Sequence, residues 1–276
     1  MNIASVTTIA AQELKINIRN KWTLVFALIF AALALAISYF GLVTEAVVGF
    51  QGFTRTTASL LNLVLYLIPM ISLTMGTLSF NGEKGESELL FSQPVTRTEI
   101  LVGKLAGLFL SVATATLFGF GAAGVLIALQ VGLDGLGRYL AFVGFSLLLA
   151  AAFLSLGSLT AILARGRAKA LGYALFLWFF FVLFYDLLVM GVTFLLREHT
   201  ANQLIFFSLF ANPVDLARVA SLIAMDDPSV FGYAGAALVK FLGGVMLANV
   251  TLIAGLLIWI ALPLVISTRV LRGHDV

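Results

Sequence analysis

The chain has 276 residues, of which 61% are hydrophobic and 11% charged, with a mean hydropathy of +1.10. Soluble domains carry about a quarter charged residues, so this composition predicts one integral-membrane domain, with no room for an ATPase domain beside it. The net charge of +3 is modest, and the absence of cysteine excludes disulfides, thiolate metal sites and cysteine nucleophiles.

Residues 1–22 read as an amphipathic helix lying in the membrane interface. At helical spacing Ile3, Val6, Ala10, Leu14 and Ile18 share one face, with Thr8, Gln12, Lys15 and Arg19 opposite. Glu13 interrupts the basic region and the next apolar run is too long for a signal peptide, so none is expected here. Charge-free stretches then delimit the spans, each of which needs about 20 apolar residues to cross the hydrocarbon core. There are 23 uncharged residues between Lys21 and Glu45, 27 between Arg55 and Glu83, and 29 between Lys104 and Asp134. Arg138 to Arg165 encloses 26, Lys169 to Arg197 encloses 27 of which only Asp186 is charged, and Lys240 to Arg269 encloses 28. The predicted spans are 23–43, 57–81, 105–132, 139–163, 170–196 and 241–268. Continuous apolar runs, rather than alternating ones, make them helices and not barrel strands.

Span two carries Ser59, Asn62 and Tyr66 on one helical face, followed by Pro69. That face either lines a route through the protein or hydrogen-bonds neighbouring helices. The segment 83–104 comes next, charged between two apolar stretches. It opens with Glu83, Lys84, Glu86 and Glu88, then presents the apolar patch Leu89-Leu90-Phe91. Pro94 stops a helix there, because it lacks an amide donor and restricts Gln93 to extended conformations. Thr96, with Glu99 three residues later, has the spacing of a capping box and restarts one. A short acidic-apolar helix, a stop and a capped restart read as a rigid knob at the membrane face; the alternative is a solvated loop. Gly119, Gly121, Ala123 and Gly124 in span three are close-packing positions.

Asp186 is the one ionisable residue inside a predicted span. A carboxylate in lipid is costly, so it faces protein, water or a partner, or is protonated; it marks a functional site or fixes helix packing through a polar partner. Residues 197–240 form the large loop after span five. Within it Leu204 to Phe210 is apolar but too short to span, which fits an interfacial helix or re-entrant hairpin. Asn212-Pro213 marks a turn, Asp215 can cap the helix after it, and Asp226-Asp227-Pro228 marks another break. With the N-terminus on the cytoplasmic side, eleven Lys and Arg fall in inner segments and five (Arg55, Arg138, Arg197, Arg218 and Lys240) in outer ones. Both termini are therefore expected inside, in the cytoplasmic membrane.

Several chemistries drop out. There is no P-loop signature for ATP and no His-Glu-x-x-His, the only histidines being His199 and His274. Met70, Met75, Met190, Met225 and Met246 lack the spacing of a copper relay, so no metal site is expected on this chain. No internal repeat with paired broken helices points to a secondary transporter. No catalytic residue and no nucleic-acid partner are expected.

Segment 83–104 resembles the ABC-2 family of ATP-binding-cassette permeases. The match rests on Glu83, Gly85, Leu89, Leu90, Pro94, Val95, Arg97, Ile100, Leu101, Gly103 and Lys104, eleven positions in fixed order. The resemblance implies an all-α, six-span exporter-like fold with an N-terminal elbow helix, a cytoplasmic coupling helix and external helices between spans five and six. It implies a homodimer working with two separate ATPase subunits, which would bind ATP and Mg while this chain binds no cofactor. Glu83, Glu86, Glu88, Leu89, Leu90 and Phe91, held by Pro94 and Arg97, would meet the ATPase. Asn62, Tyr66 and Asp186 would border the pathway, and Asn212, Pro213, Asp215 and Arg218 would shape an external gate or dock. Asn212-Pro213-x-Asp215 followed by Arg218, with Tyr185-Asp186-Leu187 in span five, is similar to permeases of the nitrous oxide reductase maturation system. That similarity implies a periplasmic right-handed β-helix partner and a role in delivering a sulfur species or driving copper handover. The inner loop Arg165-Gly166-Arg167-Ala168-Lys169 is more basic than that pattern. The alternatives are an ABC-2 exporter of lipid or drug, a proton-coupled transporter using Asp186, and a non-transporting scaffold.

Overall fold

The computed structural model describes residues 2–48, 52–80, 95–164, 166–196, 198–225 and 239–273. Among them every regular element is helical, as lipid requires: with no water to satisfy backbone groups, the chain must satisfy them within each segment. In chain order these are α1 (Ile3–Ile18), α2 (Lys21–Val48), α3 (Gly52–Phe80), α4 (Arg97–Val131) and α5 (Leu136–Leu163). Then come α6 (Arg167–Phe179), a π-helical turn (Phe180–Phe184), α7 (Tyr185–Leu195), α8 (Glu198–Ser208), a 3-10 turn (Leu209–Ala211), α9 (Pro213–Met225) and α10 (Val245–Gly273).

Six stretches are long and apolar enough to cross a membrane: Thr23–Gly41, Thr57–Phe80, Arg97–Gln130, Leu136–Leu163, Arg167–Leu195 and Val245–Leu271. Span five is thus α6, the π turn and α7 in series. α8 and α9 meet at a bend of 108° and form a hairpin packed beside the spans.

Local chemistry sets the boundaries. α4 starts eight residues before the predicted span because Thr96 closes the capping box: its Oγ1 accepts from the Glu99 N–H at 3.3 Å, and Glu99 Oε2 accepts from the Thr96 N–H at 2.9 Å. The α4–α5 turn needs Gly132 and Gly135, both at φ 88, where a Cβ would be strained. Span six begins at Val245 rather than 241, because Gly243 and Gly244 adopt φ 87 and 109 and break the helix there.

The rigid centre is the crossing of α3 and α5. A Cβ on Gly76 would stand 2.8 Å from the Leu154 carbonyl oxygen, and one on Gly157 2.7 Å from that of Leu73. This is the small-residue contact that lets membrane helices approach closely. Thr77 and Thr160 share a hydroxyl hydrogen bond of 3.0 Å across it. Beside it Phe120 packs edge-on against Phe30, Tyr139 and Phe142, and the buried Tyr139 hydroxyl donates to the Phe120 carbonyl at 2.6 Å. Gly119 takes part in the packing, facing Phe30, whereas Gly121 has open space around it.

α1 also has a face turned into the protein. Ile3 is 74% exposed and Ile18 is exposed too, while Ala10 is buried together with Glu13 and Asn17. The cause is α4, whose Gly103 and Gly107 bring its backbone against that side of α1.

Candidate functional site

Span five changes its winding at Phe180–Phe184, where the Tyr185 N–H reaches back five residues to the Phe180 carbonyl. A π turn is widened and offers carbonyls to outside donors. Here the Phe181 carbonyl accepts from Asn212 Nδ2 at 3.0 Å. Asn212 is fully buried, and it also caps α9: its Oδ1 accepts from the Val214 N–H at 2.9 Å. Pro213 fills the first helical position, where its missing N–H costs nothing. Two further donors seat the hairpin. The Tyr185 hydroxyl reaches the Ser208 carbonyl at 2.6 Å, and Trp259 Nε1 of span six reaches the Phe210 carbonyl at 3.0 Å.

The charges converge beside this seat. Arg218 Nη1 donates to Asp186 Oδ2 and to Asp215 Oδ1, each at 2.9 Å. Asn212 Nδ2 donates to Asp215 Oδ2 at 2.9 Å. Asp186 is thus a charge in a span paired by an arginine of the hairpin, and the pair ties the two elements together. The side chains of Arg218, Asp186 and Asp215 are 33%, 44% and 14% exposed, so one side of the network lies at the protein surface. A cavity of about 360 Å³ opens there, lined by Asp186, Asp215 and Arg218 with Met190, Thr193 and Ser208 among its walls. Burial raises the Asp215 carboxyl to about 7; Arg218 opposes that rise and Asp186 adds to it. The arginine sits between the two carboxylates, the position a cation would need.

Of the residues selected from sequence, Asp186, Asn212, Pro213, Asp215 and Arg218 come together here. Asn62 and Tyr66 do not: they lie with Met70 along an exposed face of α3, and no α3 residue is among those lining the cavity. The Tyr66 carbonyl accepts from Trp178 Nε1 of span five at 2.9 Å, which places this face beside span five. Arg97 donates to the Leu271 carbonyl at 2.6 Å, joining the start of α4 to the end of α10. Glu83, Glu86, Glu88, Leu89, Leu90, Phe91 and Pro94 lie outside the described residues. In the basic inner loop, Arg167 and Lys169 are exposed at the start of α6. Sequence reasoning missed the Tyr185 and Trp259 donors and the π turn. Tyr185 and Trp259 are the polar-tipped aromatics of an apolar run, which seek an acceptor when buried; that was the available signal.

The chain matches, over residues 7–276, a family described as ABC-2 family transporter protein. It is similar to the "Probable ABC transporter permease protein NosY" of Pseudomonas aeruginosa, 36% identical over 276 residues, covering 98% of this chain and 96% of that one. A protein of the same name from Stutzerimonas stutzeri is 35% identical over 227 residues, covering 80% of this chain and 82% of its own.

Proposed function

The chain belongs to the ABC-2 family of transporter permeases, and we propose that it serves maturation of the copper site of a periplasmic nitrous oxide reductase. In this reading two copies work with two separate ATPase subunits in the cytoplasmic membrane, both termini on the ATP side. Segment 83–104 meets the ATPase through Glu86, Glu88, Leu89 and Phe91. The α8–α9 hairpin is the external gate, or the dock of a periplasmic β-helix protein. Motion reaching it either releases a sulfur species or is handed to that partner. The exposed α3 face with Asn62 and Tyr66 borders the route.

The observation that carries this reading is the Arg218 bridge, which joins Asp186 of span five to the hairpin through one ion pair, while Asp215 holds the same arginine from within α9. Displacement of span five therefore moves or releases the hairpin. The likeness to NosY supports the choice of system.

The reading is tested by mass spectrometry of the proteins that co-purify with the tagged chain from native membranes in mild detergent. Recovery of an ATPase and a periplasmic β-helix protein is expected. An ATPase alone would assign the chain to a lipid or drug exporter, and no ATPase, even after crosslinking at 83–91, would end the coupling reading. Charge reversal at Glu88 combined with Phe91→Ala should uncouple ATP turnover while the spans stay folded; unchanged turnover would remove those residues from the contact.

A further inference from the structure

Glu13 has no part in the proposed function, yet it is a buried carboxylate, 8% exposed, on the face of α1 that packs against α4. Burying such a group is unfavourable unless its oxygens are hydrogen-bonded, and Ala or Leu would fill the same face. Its Oε1 accepts from Asn17 Nδ2 at 3.0 Å and from Ser79 Oγ at 2.7 Å. Ser79 lies in the last turn of α3, and its carbonyl accepts from Lys104 Nζ of α4 at 2.8 Å. A second tie stands on the other side, where Glu99, in the first turn of α4, accepts from the backbone N–H groups of Asn2 and Thr96. α1 is therefore bonded to the end of α3 and to the start of α4, the two termini that bracket residues 81–94.

Two glycines one turn apart close the joint. A Cβ on Gly103 would stand 2.8 Å from that of Ile9, and one on Gly107 2.6 Å from the Ala10 carbonyl oxygen and 2.6 Å from the Glu13 Cβ. Helices in such backbone contact have no room to slide or roll. A helix anchored by lipid alone would need neither these glycines nor an inward carboxylate.

We infer that α1 and the facing ends of α3 and α4 move as one body, and that Glu13 is the positioning residue that carries displacement of segment 83–104 into the N-terminal helix. The inference rests on the reading of that segment as the ATPase contact. It gives α1 a mechanical part, beyond that of a float in the membrane interface.

The test uses the permease assembled with its ATPase in lipid discs. Glu13→Ala should lower permease-stimulated ATP turnover about tenfold, with ATPase recovery unchanged and a larger loss than the accompanying drop in melting temperature accounts for. Glu13→Gln keeps an acceptor oxygen for Ser79 and Asn17 and should restore most of the turnover. Ser79→Ala should resemble Glu13→Ala, and the double variant should be no worse than either, as expected for one shared bond. In the permease alone, Glu13→Ala should speed amide exchange across residues 3–18. Unchanged turnover in Glu13→Ala, or a loss that merely tracks melting temperature or ATPase recovery, would overturn the inference. So would unchanged exchange in α1. If the wild-type chain stimulates no turnover at all, the coupling reading itself fails, and the exchange result then reports only how α1 is attached.

Discussion

At the N-terminal end of the bundle α1 meets α4 backbone to backbone across Gly103 and Gly107, with Glu13 and Glu99 satisfied inside the joint. At the opposite end the α8–α9 hairpin meets span five through side chains: Asn212 on the Phe181 carbonyl, Tyr185 on the Ser208 carbonyl, and Arg218 between Asp186 and Asp215. The first joint is close-packed, with Ala10, Glu13, Asn17 and Glu99 buried in it. The second is partly exposed, and the one ion pair that crosses it, Arg218 to Asp186, can be exchanged for other polar contacts at a cost of about 1 kcal/mol or less. One end is thus built to transmit a displacement unchanged, and the other to yield to it.

The contrast can be broken most severely at the rigid end. Gly107→Leu should destabilise the protein by about 3 kcal/mol or more, since the added atoms meet the backbone of α1 and cannot be accommodated by a rotamer change. Gly121→Leu, on the same helix but in open space, should leave the melting temperature in detergent near that of the wild type. Asn212→Ala comes next, at about 2 kcal/mol, because it removes the α9 cap and leaves the buried Val214 N–H and the Phe181 carbonyl with fewer partners. Its effect should be confined to residues 198–225, read by amide exchange, with α1 unaffected. Arg218→Ala should cost about 1 kcal/mol, because Asp186 is partly exposed and Asp215, already raised to about 7, takes up a proton when the arginine is gone, and should likewise loosen only the hairpin.

The smallest effect is on pH dependence. The Asp215 carboxyl is raised from 3.8 to about 7 by burial. The folded state therefore holds a proton that the unfolded state has lost, and stability should decline as pH rises through that window. Asp215→Asn should flatten the slope of melting temperature between about pH 4 and pH 7. A slope of opposite sign would mean that the Arg218 pair outweighs burial.

Much of this was legible in the sequence, for reasons that differ from one residue to the next. The six spans come from charge-free runs, and the capping box at Thr96 from a fixed local spacing; neither depends on the rest of the fold. Asn212, Asp215 and Arg218 were selected as a group because Asn212-Pro213-x-Asp215 followed by Arg218 is similar to the pattern of related permeases. The partner of Asp186 was not legible, since Arg218 lies 32 residues away and only the folding back of α9 brings it near. The π turn leaves no mark in Phe180-Phe181-Val182-Leu183-Phe184, whose side chains suit an α-helix equally well. Glu13 read as an interruption of a basic segment because periodicity sorts residues by polarity, and a buried carboxylate satisfied by Ser79 breaks that rule.

The difference between the two ends is tested most directly by distance measurements between spin labels on the assembled transporter, with and without a non-hydrolysable ATP analogue. The chain has no cysteine, so labels can be placed cleanly at two engineered pairs. Val192→Cys with Phe207→Cys reports span five against the hairpin, and Ile3→Cys with Leu110→Cys reports α1 against α4, all four positions being exposed. The nucleotide should shift or broaden the first distance and leave the second unchanged. A change in the α1–α4 distance with none at the hairpin would contradict this expectation.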